Sequence, residues 1–535
     1  MNTMIYNPLE EFDGKFKNLH LDNTKKHIKM LVRQSGVDVE ENRKTVKEYH
    51  TLKESLSKIK RKCGLWKFFR VLMCITLILI PLVILKITPK IKALRAEIEK
   101  TEKRVAELFA LAEKQMAPLN SLFSERDALK IIETTIPMLA FAPCFSAKQE
   151  ANMLINYDFN SESSEDESTI AVLAGYYNEN PFVFEKKRIH KMGTAIYHGT
   201  KIIHWTESYR GSDGKRHTRT RTQTLHASLT KPKPFYSYRV LLSYCAQGGP
   251  ELSFSRDATH LERKSEKEID RYVKKGEKKL KKMTDDAIKQ NKDFMSMSNS
   301  DFEVLFDALD RTNEVQFRTL FTPLAQTNIV DLIRSQTGYG DDFHFVKQKR
   351  TNKIITQHSQ EREIALSPAS YYSYSYDVIE ERFIQSNVKY FKEVYFDFAP
   401  LWSIPIYQER PVHSLHPVPD EPQKYSYREC EALSNKISER LVVHPHTKTP
   451  AILKSSFVGS KREADKICVT AYSYNILPRL DFVPVLGGDG RWHSVPVPWD
   501  DYVPLEARNH FLVADADFSE NGTVLARHNN LCIFN

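Results

Sequence analysis

The chain has 535 residues, 41% of them hydrophobic, and its 78 Lys and Arg outnumber 68 Asp and Glu to give a net charge of +10. That length and apolar content exclude disorder throughout and allow two or three packed cores. The surplus charge favours anionic surfaces without choosing among phospholipid, nucleic acid and acidic protein.

Residues 1–64 read as a helical segment, with Val46, Tyr49, Leu52, Leu56 and Ile59 recurring every three to four positions. Next comes the most apolar stretch, RVLMCITLILIPLVILK, in which fifteen uncharged residues lie between Arg70 and Lys86. Extended by Leu65, Trp66, Phe68 and Phe69 upstream and Ile87 downstream, it predicts one transmembrane helix over 65–87, kinked at Pro81. The lipid bilayer is then a partner, and the chain is a single-pass protein of the cell membrane. Basic residues crowd both flanks, so charge alone does not orient the span. A re-entrant hairpin bent at Pro81 would keep both flanks on one side, but fifteen apolar residues are few for two passes. The seven cysteines are scattered singly, without C-x-x-C spacing; those beyond the span favour a cytoplasmic distal domain and no disulfide framework.

Over 88–135 the residues Ile91, Leu94, Ile98, Thr101, Val105, Leu108 and Ala112 alternate three and four apart. This is the heptad pattern of a helical stalk, a coiled coil that pairs with a second copy or with the later stripe Ile269, Val273, Gly276, Leu280, Met283 and Ala287. Residues 136–255 form a β-rich region. Its strongest signal is KIIHWTESY, the turn RGSDG and then KRHTRTRTQTLHASLT, a hairpin placing Thr218, Thr220, Thr222 and Thr224 on one face and His217, Arg219, Arg221, Gln223 and Leu225 on the other. Lys231-Pro232-Lys233-Pro234 is expected to end its second strand. A charged helical region follows over 256–340. The segment 341–535 is Tyr-, Val- and Pro-rich and is expected to be a second β-rich region, without long helices through its prolines and with SYYSYSYD as a strand. The fold class is therefore α+β.

No cofactor motif is present: there is no Gly-Lys-Ser/Thr loop, dinucleotide fingerprint or nucleophile elbow. The chemistry-bearing candidates are Asp489, His493, Asp500 and Asp501, which offer carboxylates and an imidazole beside two tryptophans for a hydrolase site. His413, His416, His444 and His446 are candidate metal ligands, although no carboxylate sits at a diagnostic offset. The basic run Lys264–Lys282 would bind an anionic surface only if it presented one cationic face, and the eight acids over 262–293 argue for a modest field. Aromatic residues do not interleave the Arg219 and Arg221 strand, which disfavours nucleic acid there.

The combination VRQSGVDVEENRKTV, RVLMCITLILIPLVILK, HWTESYRGSDGKRHTRTRTQTLHASLTKPKPFY and CAQGGPELSFSRDATH resembles an uncharacterised family of bacterial membrane-anchored proteins. The resemblance implies a membrane anchor and transfers no catalytic residue. Together these readings point to an anchored, non-enzymatic binding or scaffold protein with a protein or cell-envelope partner. The alternatives are a tethered hydrolase and an anionic-surface binder.

Overall fold

The computed structural model describes the chain except residues 1–3, 76–82, 161–163, 213, 290–295, 337, 413–415, 419–423, 462–463, 516–523, 529–530 and 535. Two compact units result: residues Leu9–Pro137 with Ala365–Phe396, and Met1–Pro8 with Met138–Ile364 and Asp397–Asn535.

In the first of these, the helical unit, α1 (Lys17–Ser35), α2 (Val39–Ile75), α3 (Thr88–Leu122) and α4 (Asp127–Thr135) follow in order. Gly36, left-handed at φ 65°, ends α1. The heptad stripe of α3 finds its partner upstream, in α2. Asn42 donates to Gln115 at 3.2 Å, Glu48 pairs with Arg104 at 3.2 Å, Lys60 pairs with Glu102 at 2.7 Å, and Cys63 packs on Ile87 and Ile91. The two helices are thus antiparallel.

That geometry corrects the transmembrane expectation. The apolar stretch is divided between two antiparallel arms: Leu65–Ile75 ends α2, and Val83–Ile87 leads back into α3. Lys90 sits 4.1 Å above the ring of Trp66, so the return is in contact with the outward arm. The outward arm rises only about 16 Å, half of the roughly 30 Å hydrocarbon core. Residues 76–82, with Pro81 and its expected kink, lie outside the described residues. Among the described residues no helix is long and apolar enough to cross a membrane, so neither the single transmembrane helix nor the single-pass location is supported. The sequence pattern could not show this, because a run of apolar residues looks the same whether it continues or doubles back.

SYYSYSYD is not a strand either. Tyr371 packs on Phe123 and Phe383, with ring centroids 5.3 and 4.9 Å apart, and a helix starts at Tyr376. Among the described residues this unit holds no strand with which the tyrosines could pair.

The second unit carries all twelve strands found among the described residues. One antiparallel sheet has the order β1 (Leu139–Phe141), β2 (Glu167–Tyr177), β3 (Asn180–Arg210), β4 (Arg216–Cys245), β7 (Thr351–Thr356), β6 (Phe343–Gln348), β5 (Ser253–Arg256). The other has the order β11 (Val524–His528), β12 (Leu531–Phe534), β10 (Trp492–Asp515), β9 (Ala464–Leu486), β8 (Ile452–Lys461). The helices are α5 (Ala147–Tyr157), α6 (Glu266–Lys289), α7 (Ser300–Phe306), α8 (Glu314–Leu320), α9 (Pro323–Arg334), the end of α10 (Tyr376–Trp402) and α11 (Tyr427–Lys436). Against expectation, α10 runs 27 residues and takes Pro400 into its last turn.

The predicted hairpin is present and much longer than its turn signal implied: β3 has 31 residues and β4 has 30, about 100 Å of extended chain each. Contrary to expectation, Lys231-Pro232-Lys233-Pro234 does not end β4, which runs through it with Pro232 opposite Thr194 and Pro234 opposite Met192. The reason is parity. Gly211 N donates to Lys215 O across the turn, so odd-numbered pairs exchange the hydrogen bonds and even-numbered pairs exchange none. A proline at an even position therefore removes no bond from the ladder, provided the outer edge is free there.

The β9–β10 hairpin obeys the same rule. Gly487 N donates to Arg491 O at 2.8 Å, and Pro478, Pro484, Pro496, Pro498 and Pro504 are all even-numbered. They lie beyond the stretches where β9 pairs β8 and β10 pairs β12.

These hairpins pack face to face as a two-layer arm. Odd-numbered residues of all four strands meet in the middle, with Ile203, Leu225, Ala227, Val495 and Val497 buried. Lys231 pairs with Asp481 at 2.8 Å and lies 4.1 Å above Trp499 in the same layer. At Gly199 the backbones come so close that a Cβ would stand 2.0 Å from the carbonyl oxygen of Pro496. Gly199→Val is expected to separate the layers and cost roughly 1–3 kcal/mol, the range for overpacking a filled core. A fall in the denaturant midpoint at unchanged slope checks this; an unchanged midpoint contradicts the close approach.

Candidate functional site

The candidate hydrolase residues do not converge. His493 Nε2 lies 3.0 Å from both oxygens of Asp489, at the tip of the β9–β10 hairpin, and holds the Asp489 carboxyl below its usual range. Asp500 and Asp501 sit seven and eight residues further along β10, roughly 25 Å away at strand spacing, and Asp501 pairs with Arg479 at 3.2 Å. The pair is a turn fastener: Asp489 also accepts from the backbone of Arg491 at 3.1 Å.

The histidine candidates for a metal are likewise apart. His444 and His446 are neighbours, with ring centroids 5.4 Å apart. The backbone of His416 instead exchanges hydrogen bonds with Asn156, at 2.8 and 3.1 Å. His413 lies outside the described residues. Among the described residues no group of three or more His, Cys, Asp or Glu is placed to hold a metal ion.

A cavity of about 490 Å³ lies where the arm leaves the body of its unit. β3 supplies His190, β4 its register partner Tyr236, β9 Tyr472 and Tyr474, and β8 Lys454, while Glu165 and Asp166 stand before β2. Asp166 Oδ1 holds His190 Nδ1 at 3.0 Å, which turns Nε2 toward the Tyr474 hydroxyl at 3.4 Å. Burial raises the pKa of Tyr236 and Tyr474, so both phenols remain donors.

No activated nucleophile completes this chain. Ser473 is buried and its hydroxyl is spent on Thr447 at 2.8 Å, and the Lys454 ammonium is spent on Glu431 at 2.9 Å and the carbonyl of Glu167 at 2.7 Å. The arrangement orients an imidazole between aromatic rings and fits binding better than bond cleavage. Sequence reading missed it because its residues come from separate segments, with no shared spacing to reveal them.

The arm itself presents the larger feature. Even-numbered residues of β3–β4 form a mixed outer face, in which the exposed Thr194, Thr200, Thr222, Thr224, Ser228 and Thr230 surround the exposed Ile196 and Ile202. Arg219 and Arg221, on the odd face beyond the β9–β10 tip, are matched by Glu207 at 4.0 and 3.0 Å, so they do not stand as a free phosphate fork. The outer face of β9–β10 is apolar. Leu480, Phe482, Leu486 and Trp492 are between 53% and 70% exposed, and Pro484 and Pro498 lie among them. Cross-strand pairing sets Trp492 beside Leu486, Pro496 beside Phe482 and Pro498 beside Leu480, so the row is continuous.

Compared with protein-family models, curated proteins and solved structures, the chain matches none of them.

Proposed function

We propose that the chain is a non-enzymatic binding protein that holds a protein partner on the outer face of its β9–β10 hairpin. The observation that carries this reading is the exposed row Leu480, Phe482, Leu486 and Trp492, a contiguous apolar surface on an element that needs no further cover for its own fold. The prolines define how a partner sits. They occupy the positions whose N–H groups would point outward, so another strand cannot extend the hairpin at its edges. The partner therefore lies face-on, with aliphatic and aromatic side chains against the row, as in the core of a protein–protein interface. A hydrolase is less well supported, since Asp500 and Asp501 are remote from the Asp489–His493 pair.

The test uses the full chain as bait in extract from cells that carry it. Complexes retained by the native chain are expected to fall at least about tenfold with L480E/F482E, the loss of two central apolar contacts. They should persist with T222E/T224E on the opposite face. Equal retention by both variants would sink the reading.

A further inference from the structure

The basic run of α6 has an order that its sequence conceals. Ile269, Val273 and Leu280 are buried, and Gly276 is pressed against α7, where a Cβ would stand 2.3 Å from Val304. At about 100° per residue these four positions fall within roughly 40° of Ile269. Lys267, Arg271, Lys274, Lys278, Lys281 and Lys282 fall between about 120° and 220° on the same wheel, and all six are exposed. The acids are drawn aside. Asp270 pairs with Arg334 at 3.1 Å, Glu277 accepts from Ser300 at 2.7 Å, and Glu268 caps Ser265 at 2.9 Å. Asp285 shares the cationic face only beyond Lys282. Lys275 and Lys279 fall outside this arc, at about 240° and 280°, and the six cations named above form one stripe because the apolar positions have one side of the helix to themselves.

This stripe works against its own helix. Lys267 and Arg271, Lys274 and Lys278, and Lys278 and Lys282 are like-charged neighbours at i,i+4, a destabilising spacing that an anion relieves. We infer that the solvent face of α6 docks the phosphate backbone of duplex nucleic acid. Charge density favours that partner. Six cations over about 22 Å give one per roughly 4 Å, close to the 3.4 Å per phosphate of one duplex strand. Lipid is a poorer match, because the apolar side of α6 is committed to the core and cannot enter a bilayer. Tyr272, the aromatic residue within the run, falls at about 300° on the wheel and outside the stripe, so the stripe has no platform on which bases could stack and binding is expected to be independent of sequence.

The test is fluorescence anisotropy of the full chain with two 24-base-pair DNA duplexes of unrelated sequence, between about 50 and 200 mM KCl. Equal affinity for both is expected, with a log–log salt slope of about −4 to −6. K267Q/R271Q/K274Q/K278Q should weaken binding at least about tenfold and flatten the slope by about 3. K17Q/K25Q/K26Q/K29Q, which removes the same charge from α1, should change affinity less than about threefold, as expected for cations outside the contact. The slope measured on the native chain stands even if a variant misfolds. Absence of duplex binding, an equal loss in the α1 variant, or polyglutamate or anionic vesicles competing as well as duplex at equal charge would each overturn the inference. None of these results depends on the β9–β10 face.

Discussion

Replacing Arg428 by methionine is expected to destabilise the sheet-bearing unit by about 3–5 kcal/mol, the cost of breaking a buried ion pair from one side. Arg428 follows the Ser426 cap of α11, and its guanidinium is almost wholly buried between Glu185, 2.7 Å away on β3, and Glu150 on α5. It also lies over the rings of Phe159 and Tyr427, at 4.8 and 4.6 Å. Burial alone would raise the Glu185 pKa; Arg428, then Lys187, outweigh it and hold the carboxyl below its ordinary range. For Glu150 burial prevails, and its pKa is raised despite Arg428. The single variant leaves buried Glu185 with Lys187, 3.7 Å away, to offset its charge, so adding Glu185→Leu should recover part of the loss. Denaturant midpoints at constant slope read both. A single variant within about 1 kcal/mol of the native chain would contradict the assignment.

The second large effect is alkaline. His358 is buried between Asp342, 2.6 Å from Nδ1, and Asp397, 3.4 Å from Nε2, while Arg362 reaches Asp397 at 2.7 Å. Burial would lower the His358 pKa, but the hydrogen bonds to the two carboxylates outweigh it and raise the value from 6.5 to about 9. Burial would likewise raise Asp397, and the charge of Arg362 followed by the hydrogen bond to His358 brings it down from 3.8 to about 2. The His358 contribution is fully present below pH 6.5 and is lost as pH rises through about 9. The Asp397 contribution is present above pH 3.8 and is lost as pH falls through about 2. The full histidine shift is worth on the order of 3 kcal/mol. His20, pushed down by burial to about 3, and Lys347, pushed down by burial to about 7, both add stability as pH rises. The His358 contribution is therefore read as the stability of the native chain over His358→Asn, which should hold level from about pH 4 to 6.5 and shrink toward pH 9. A difference between native chain and variant that is the same at pH 6 and pH 9 would rule this out.

Local patterns were legible where their partner was the next segment. The Gly-bearing turn and the Thr and Arg alternation around it define the β3–β4 hairpin and its two faces. The stripe Ile91 to Ala112 on α3 reads as a helix seeking a helix. What failed depended on tertiary information. The apolar stretch after Leu65 needed its antiparallel return to be told from a span. The prolines at 232, 234, 484 and 496 became compatible with long strands only once the register set the parity of hydrogen bonding. Tyr372, Tyr374 and Tyr376 alternate with serines like a strand, yet Tyr376 opens a helix and the neighbouring Tyr371 is buried against Phe123 and Phe383 in a helical core, which overrode local propensity. His358 and Arg428 carry no motif, since their carboxylate partners lie as far away as Asp397 and Glu150 in sequence. The cationic stripe on α6 was visible in composition alone; its confinement to one face needed the burial of Ile269, Val273 and Leu280.

The proposed function requires a protein partner to occupy the apolar outer face of the β9–β10 hairpin. A photoreactive amino acid placed at Phe482, and separately at Thr222 on the opposite outer face of the same arm, tests it in living cells that carry the chain. Discrete, reproducible crosslinked species from position 482, and few or none from position 222, are the predicted result. A crosslink from 482 to a second copy of the chain alone, the same species from both positions, or no species from 482 would contradict it.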